Sequence, residues 1–125
     1  MSRLLVDTHV LLWWLRDDQR LSEWTRAAIA DPRTEPLVSA ASVWEIAIKR
    51  SLGKLEAPDD LLERIPEQGF GWLPVDAQHA WKVRALPLHH RDPFDRVLVA
   101  QALVEGLPVV TADARFGRYD VDVRW

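Results

Sequence analysis

A chain of 125 residues, 48% hydrophobic and 28% charged, can bury a core of its own and has the make-up of one folded domain, not of a disordered tail. No apolar run approaches the ~20 residues that cross a bilayer, and the absence of cysteine excludes a disulfide framework and a thiolate metal site. The net charge of −3 neither supports nor excludes a polyanionic substrate: with Asp7, Glu45, Asp92, Asp95 and Asp113 set aside as a group, 14 acids face 16 bases and the remainder is +2.

The opening Met1-Ser2-Arg3, with an apolar run broken by Asp7, lacks the pattern of a signal peptide, so a cytoplasmic protein is expected. Arg3-Leu4-Leu5-Val6-Asp7 reads as a buried strand of the parallel type, continuous rather than alternating. Thr8 follows as a cap for a helix through Val10, Leu11, Trp13, Trp14 and Leu15, broken by Asp17-Asp18. A second helix opens at Leu21-Ser22 and stops at Asp31-Pro32; Pro36 to Ser39 makes a short second strand. Ser42-Val43-Trp44-Glu45 fits a capping box, which gives Glu45 a purely structural role, and the helix it opens ends at Gly53. A further helix runs from Ala57-Pro58-Asp59-Asp60 to about Ile65. Phe70 to Val75 is a strand weakened by Gly71 and Pro74. Asp76 caps a helix through His79, Trp81 and Val83 that ends before Pro87.

The most informative stretch is His89-His90-Arg91-Asp92-Pro93-Phe94-Asp95-Arg96-Val97-Leu98 and its continuation. Asp92 stands where an N-cap belongs and Pro93 at the first helical position, where a missing N–H costs nothing. Gly106 marks the stop. Leu107 to Thr111 is a second strongly apolar strand, followed by Ala112-Asp113, and Asp120 to Val123 alternates like an edge strand. Alternating strands and helices predict an α/β sandwich with a mainly parallel sheet, one domain over residues 1–125.

In such sheets functional groups gather beyond the carboxyl ends of the strands. Asp7 and Asp113 both stand there, each after a run of buried-type residues, and two acids on one sheet edge are harder to explain as helix caps. Glu45 and Asp95, each read as lying in the first turn of a helix, can converge on the same edge. Four carboxylates within a few ångströms need compensation, which a divalent cation supplies. Mg²⁺ and Mn²⁺ take oxygen ligands, and a water on such an ion becomes a nucleophile near neutral pH. Asp at a cap and an acid three positions on are also ordinary helix-start chemistry, so Asp92 either contributes to the site or only caps its helix.

Val6-Asp7-Thr8, Ser42-Val43-Trp44-Glu45-Ile46, Arg91-Asp92-Pro93-Phe94-Asp95-Arg96 with Ala100-Gln101-Ala102, and Val110-Thr111-Ala112-Asp113 occur in this order. The series resembles a PIN-domain ribonuclease, specifically the VapC-like toxins of type II toxin–antitoxin pairs, over essentially the whole chain. The resemblance implies a three-layer sandwich around a parallel sheet of four or five strands. It implies Mg²⁺- or Mn²⁺-dependent cleavage of RNA, and a homodimer held inactive by a cognate antitoxin. It assigns Asp7, Glu45, Asp95 and Asp113 as the metal-binding acids, with Asp113 at the family's most variable position. Thr111 becomes a residue that orients a ligand or water.

The remaining chemistry-bearing residues have bland readings. His9, His79, His89 and His90 are not needed by that mechanism. Arg91, Arg96 and Arg115 either contact phosphates or pair with neighbouring acids. Trp13-Trp14 divide between core and a surface. The seven tryptophans together are expected mostly in core or interface, and Asp17, Asp18, Asp59 and Asp60 read as solvated helix ends. Two other functions fit the composition: a phospho-acceptor signalling domain, which lacks its paired acid after Asp7 and a suitably placed lysine, and a PIN-fold binding module without catalysis.

Overall fold

Leu4, Leu5 and Val6 are all buried because the strand they form, β1 (Ser2–Val6), is covered on both faces. A computed structural model describes residues 2–125; Met1 lies outside the described residues. Successive side chains of a strand point to opposite faces, and the core divides accordingly. Leu4 and Val6 join Val38 and Val110 in one apolar cluster, whereas Leu5 joins Leu37 and Val109 in another. Each fully buried Leu or Val of these clusters contributes about 1.5–3 kcal/mol of transfer free energy.

The sheet has five strands, all parallel, in the order β3-β2-β1-β4-β5: β2 is Thr34–Ser39, β3 Gly71–Leu73, β4 Val109–Val110 and β5 Val123–Arg124. On one side lie α1 (Thr8–Leu15), α2 (Glu23–Ala30), α3 (Ala40–Ser51) and α4 (Leu61–Glu67), which supply Val10, Leu11, Ile29, Ile46 and Ile65 to the first cluster. The second cluster takes Leu98, Val99 and Ala102 from α6 (Pro93–Glu105), with Phe116 and Tyr119 beyond β4. The short α5 (Ala77–Lys82) packs on α6 on the same side. This is the expected three-layer α/β sandwich around a parallel sheet.

Two helix starts differ from the sequence reading, for one reason: strands run into helices with no loop between. Asp7, not Thr8, caps α1, accepting from the Val10 amide at 2.8 Å, so the Thr8 hydroxyl is free for other work. Ser39, the last residue of β2, caps α3 through the Ala41 amide at 3.0 Å. Helix α3 therefore begins before Ser42, which forms no capping box with Glu45, and Glu45 sits in the second turn. Around α6 the reading holds. Asp92 caps it through the Phe94 and Asp95 amides, and Gly106 ends it at φ 66°, a left-handed conformation that suits glycine. The last strand is displaced to Val123–Arg124, where the Asp122 and Arg124 carbonyls accept from Val109 and Thr111. None of the seven tryptophans is fully buried; Trp44 and Trp81 are 59% and 67% exposed. The cores are aliphatic instead.

Candidate metal centre

The strand order places a gap in connectivity between β1 and β4, because the chain leaves β1 toward β2 on one side and β4 lies on the other. Helices diverge from such a point and leave a crevice at the carboxyl ends of the strands. Asp7 is the first residue past β1 and is buried there. Its Oδ1 accepts from the Val10 amide, and its Oδ2 accepts from the hydroxyl of Thr111 on the neighbouring strand end. Burial pushes the Asp7 carboxyl above the usual carboxylate range, although both hydrogen bonds pull the other way.

Glu45 reaches the same edge from α3 with 2% of its surface exposed. The Thr8 hydroxyl donates to its Oε1 at 2.7 Å and lies 2.9 Å from the Ser42 hydroxyl; Lys49, one turn on, donates to Oε2 at 2.5 Å. The bond to Glu45 holds the Lys49 ammonium above its ordinary pKa. Glu45 thus enters the site as a paired carboxylate.

Helix α6 delivers two more acids at its positive end. Asp92 uses Oδ1 alone to cap the Phe94 and Asp95 amides. Asp95 has no ion pair to lysine or arginine among the described residues; its only charged-type neighbour within pairing distance is His90, with Nε2 2.8 Å from Oδ2. Burial first, and then the charges of Asp92, Glu45, Asp7 and Asp113, push the Asp95 carboxyl up to about 8. Those four residues are the other members of the acid group, so the carboxylates converge.

Asp113 closes the ring from beyond β4. It caps the following short 3₁₀ turn (Ala114–Arg118) and pairs with Arg115 at 2.8 Å, which holds its carboxyl below the usual range. Its amide donates to Thr111 Oγ1 at 3.0 Å, so one hydroxyl ties Asp7 to the Asp113 backbone. Asp7 and Asp113 line a cleft together with His9, Trp13 and Ala112.

This donor set fits a divalent cation: carboxylate oxygens, no thiolate, and at Asp95 a half-buried acid without a lysine or arginine partner among the described residues. The same convergence leaves the other candidates outside. Among the described residues Arg96 pairs with no acid and does not line the cleft; its guanidinium donates to the carbonyls of Val83, Leu86, Pro87 and His90 and to the Tyr119 hydroxyl. His79 lies in a capping box with Asp76 and meets Glu105 on α6 at 2.9 Å. Trp14 packs on Phe70 and donates to Gln68, whereas Trp13 stands between His9 and Trp125.

One residue is added to those expected. His90 is 4% exposed, and Nε2 lies 2.8 Å from Asp95 and 3.5 Å from Asp113 without a well-directed hydrogen bond to either. Periodicity gives no sign of it, since it precedes the helix. The available signal is its position two residues before the Asp92 cap, from which its ring folds back onto the Asp92 amide at 3.2 Å.

The family model for the PIN domain matches residues 4–122. This chain belongs to the PIN-domain family. Over 126 aligned residues, 92% of this chain and 90% of the relative, it is 31% identical to ribonuclease VapC22 of Mycobacterium tuberculosis. Ribonuclease VapC16 of the same organism is 43% identical over 58 residues, covering 45% of this chain and only 41% of that relative. The PIN fold is seen again in VapBC2 of Rickettsia felis bound to a promoter DNA fragment, with a TM-score of 0.73, 11% identity and 98% of both chains covered. DNA-bound VapBC of Salmonella typhimurium gives a TM-score of 0.68 at 20% identity, covering 99% of this chain and 98% of that one.

Proposed function

We propose that this PIN domain is a divalent-cation-dependent endoribonuclease and the toxin of a type II toxin–antitoxin pair. The observation that carries the reading is Asp95, a largely buried carboxyl raised to about 8 in the company of Asp7, Glu45, Asp92 and Asp113. A site that raises its own carboxylate this far is arranged for a cation to bring the charge back.

In this reading Asp7, Glu45, Asp95 and Asp113 hold Mg²⁺ or Mn²⁺. The bound ion supplies a water nucleophile near neutral pH and stabilises charge on the phosphodiester oxygens. The chain's own residues do the rest. Thr111 and the Val10 amide fix both oxygens of Asp7. Lys49 and Thr8 fix Glu45. Asp92 orients the first turn of α6, so that Asp95 faces the other acids.

The kinship with VapC ribonucleases supports RNA as the substrate, and the likeness to VapBC complexes supports a cognate antitoxin partner. The same reading makes the protein a cytoplasmic homodimer in which residues 1–125 act as one domain. No helix among the described residues is long and apolar enough to cross a membrane. The test is cleavage of a total RNA pool by purified protein with Mn²⁺, with EDTA, and with Asp95→Asn. Discrete fragments from wild type with Mn²⁺ alone are expected; equal cleavage in EDTA or by the Asn variant overturns the reading. Light scattering of the purified chain tests the homodimer.

A further inference from the structure

We propose that His90 is a positioning residue of this centre: held as the Nε2–H tautomer, it presents a buried donor to Asp95, beside Asp113, and is not itself a cation ligand. The inference rests on the metal-dependent reading above and adds a residue to it.

Two arrangements suit an imidazole 2.8 Å from one carboxylate oxygen and 3.5 Å from another. In the first, Nε2 is unprotonated and coordinates the ion beside the acids. In the second, Nε2 carries the proton and donates to the acids. The other ring nitrogen chooses between them. Nδ1 faces the Asp92 backbone N–H at 3.2 Å, and a peptide N–H can only donate. Nδ1 must therefore accept, which leaves the single proton of a neutral ring on Nε2. A histidine that binds metal through Nε2 needs Nδ1–H directed at an acceptor, the reverse of what is found here.

The segment that carries the ring is held in place. The His90 amide donates to the Tyr119 hydroxyl at 2.9 Å and its carbonyl accepts from Arg96, while the ring itself stands edge-on to Phe116 with centroids 6.1 Å apart. Nε2 is buried and makes no well-directed hydrogen bond. At 2.8 Å from Asp95 and 3.5 Å from Asp113 it is a donor not yet used among the described residues, and a turn of the Asp95 carboxylate would engage it. Such a donor fixes which oxygen of Asp95 faces the histidine and leaves the other for the cation.

Long-range ¹H–¹⁵N correlation spectra of the wild-type protein read the tautomer directly, without and with Mg²⁺. An Nε2–H, Nδ1-acceptor pattern in both states is expected; an Nε2 that loses its proton when Mg²⁺ is added overturns the proposal. The second measurement is Mn²⁺ affinity by electron paramagnetic resonance. His90→Ala is expected to weaken binding about tenfold, in the range found for groups that orient metal ligands. His90→Gln, whose amide N–H reaches the same place, is expected to recover most of the loss. Unchanged affinity in the Ala variant, or a Gln variant as weak as Ala, overturns it. Should the Ala variant not fold, the wild-type spectra and the Gln variant still decide. A wild type that binds no divalent cation overturns the metal-dependent reading and this inference together, whereas an Ala variant with wild-type affinity overturns this inference alone.

Discussion

The Thr111 hydroxyl donates to the Asp7 carboxylate, joining the ends of two adjacent parallel strands at the point where the strand order reverses. Thr111→Val removes that donor and leaves Asp7, buried, with the Val10 amide as its remaining hydrogen-bond donor. A buried carboxylate that loses a donor costs about 1–3 kcal/mol. Its pKa rises further, because the Thr111 bond is the strongest influence lowering it. The expected outcome is a lower melting temperature together with weaker Mn²⁺ binding, by about tenfold. Thr111→Ser should restore both. A Val variant that binds Mn²⁺ like wild type would show that Asp7 needs no help from its neighbour.

Asp95 makes the stability of the metal-free protein depend on pH, and the sign follows from its shift. Its carboxyl titrates at about 8 in the folded protein against an ordinary value of 3.8. Between those values the folded state holds the proton and the unfolded chain does not. Unfolding therefore becomes easier as pH rises from about 4 to about 8, with a slope of at most ~1.4 kcal/mol per pH unit from this one group. Burial of Asp7 acts in the same direction. Thermal melts in EDTA should fall from about pH 7 to about pH 8, above the range in which histidines of the unfolded chain titrate, and Mg²⁺ should recover most of the loss at pH 8. Stability that climbs over that range in EDTA would contradict the account of Asp95.

The Asp95→Asn variant separates stability from function. An amide carries no charge to be desolvated, so the variant should melt higher than wild type in EDTA at pH 8 and show a flatter pH profile. The same change should remove most of the Mn²⁺-induced stabilisation and lower RNA cleavage by at least about 100-fold, the scale of losing one charge-stabilising group at a reacting centre. Differential scanning calorimetry with a gel-based cleavage assay measures both.

How far these features were legible in the sequence follows from which forces are local. The Asp92 cap, Pro93 at the first helical position and Gly106 at the stop act within one turn, so α6 could be read with its limits. The continuous apolar runs at Leu4–Val6 and Leu107–Thr111 encode strands covered on both faces, and that placed Asp7 and Asp113 on one edge. Glu45 reaches its edge from the second turn of α3, where the sequence points to the first. Its partners Thr8 and Lys49 come from another element and the next turn, not from a capping box. The buried His90 escaped because its environment is made by Tyr119, Phe116 and Arg96, contacts that no sequence window contains. The indole rings stand at the margins of the aliphatic cores: Trp13 and Trp14 pack against one of them, and Trp24, Trp44, Trp72, Trp81 and Trp125 are exposed.

Arg96 and Arg115, both near the acids in sequence, should respond in opposite ways to replacement. Arg96 gathers four backbone carbonyls and the Tyr119 hydroxyl, so it serves as a clamp on the segment that carries His90. A lysine cannot reproduce that planar fork. Arg96→Lys should cost about 2–4 kcal/mol by leaving several carbonyls without partners, read as a lower urea midpoint. Arg115 is 55% exposed in its pair with Asp113, and Arg115→Ala should change stability by less than about 1 kcal/mol. It should instead tighten Mn²⁺ binding several-fold, since the guanidinium competes with the ion for the same carboxylate. If Arg96→Lys left the urea midpoint unchanged and raised only the KM for RNA, Arg96 would be a phosphate contact and the clamp would be refuted.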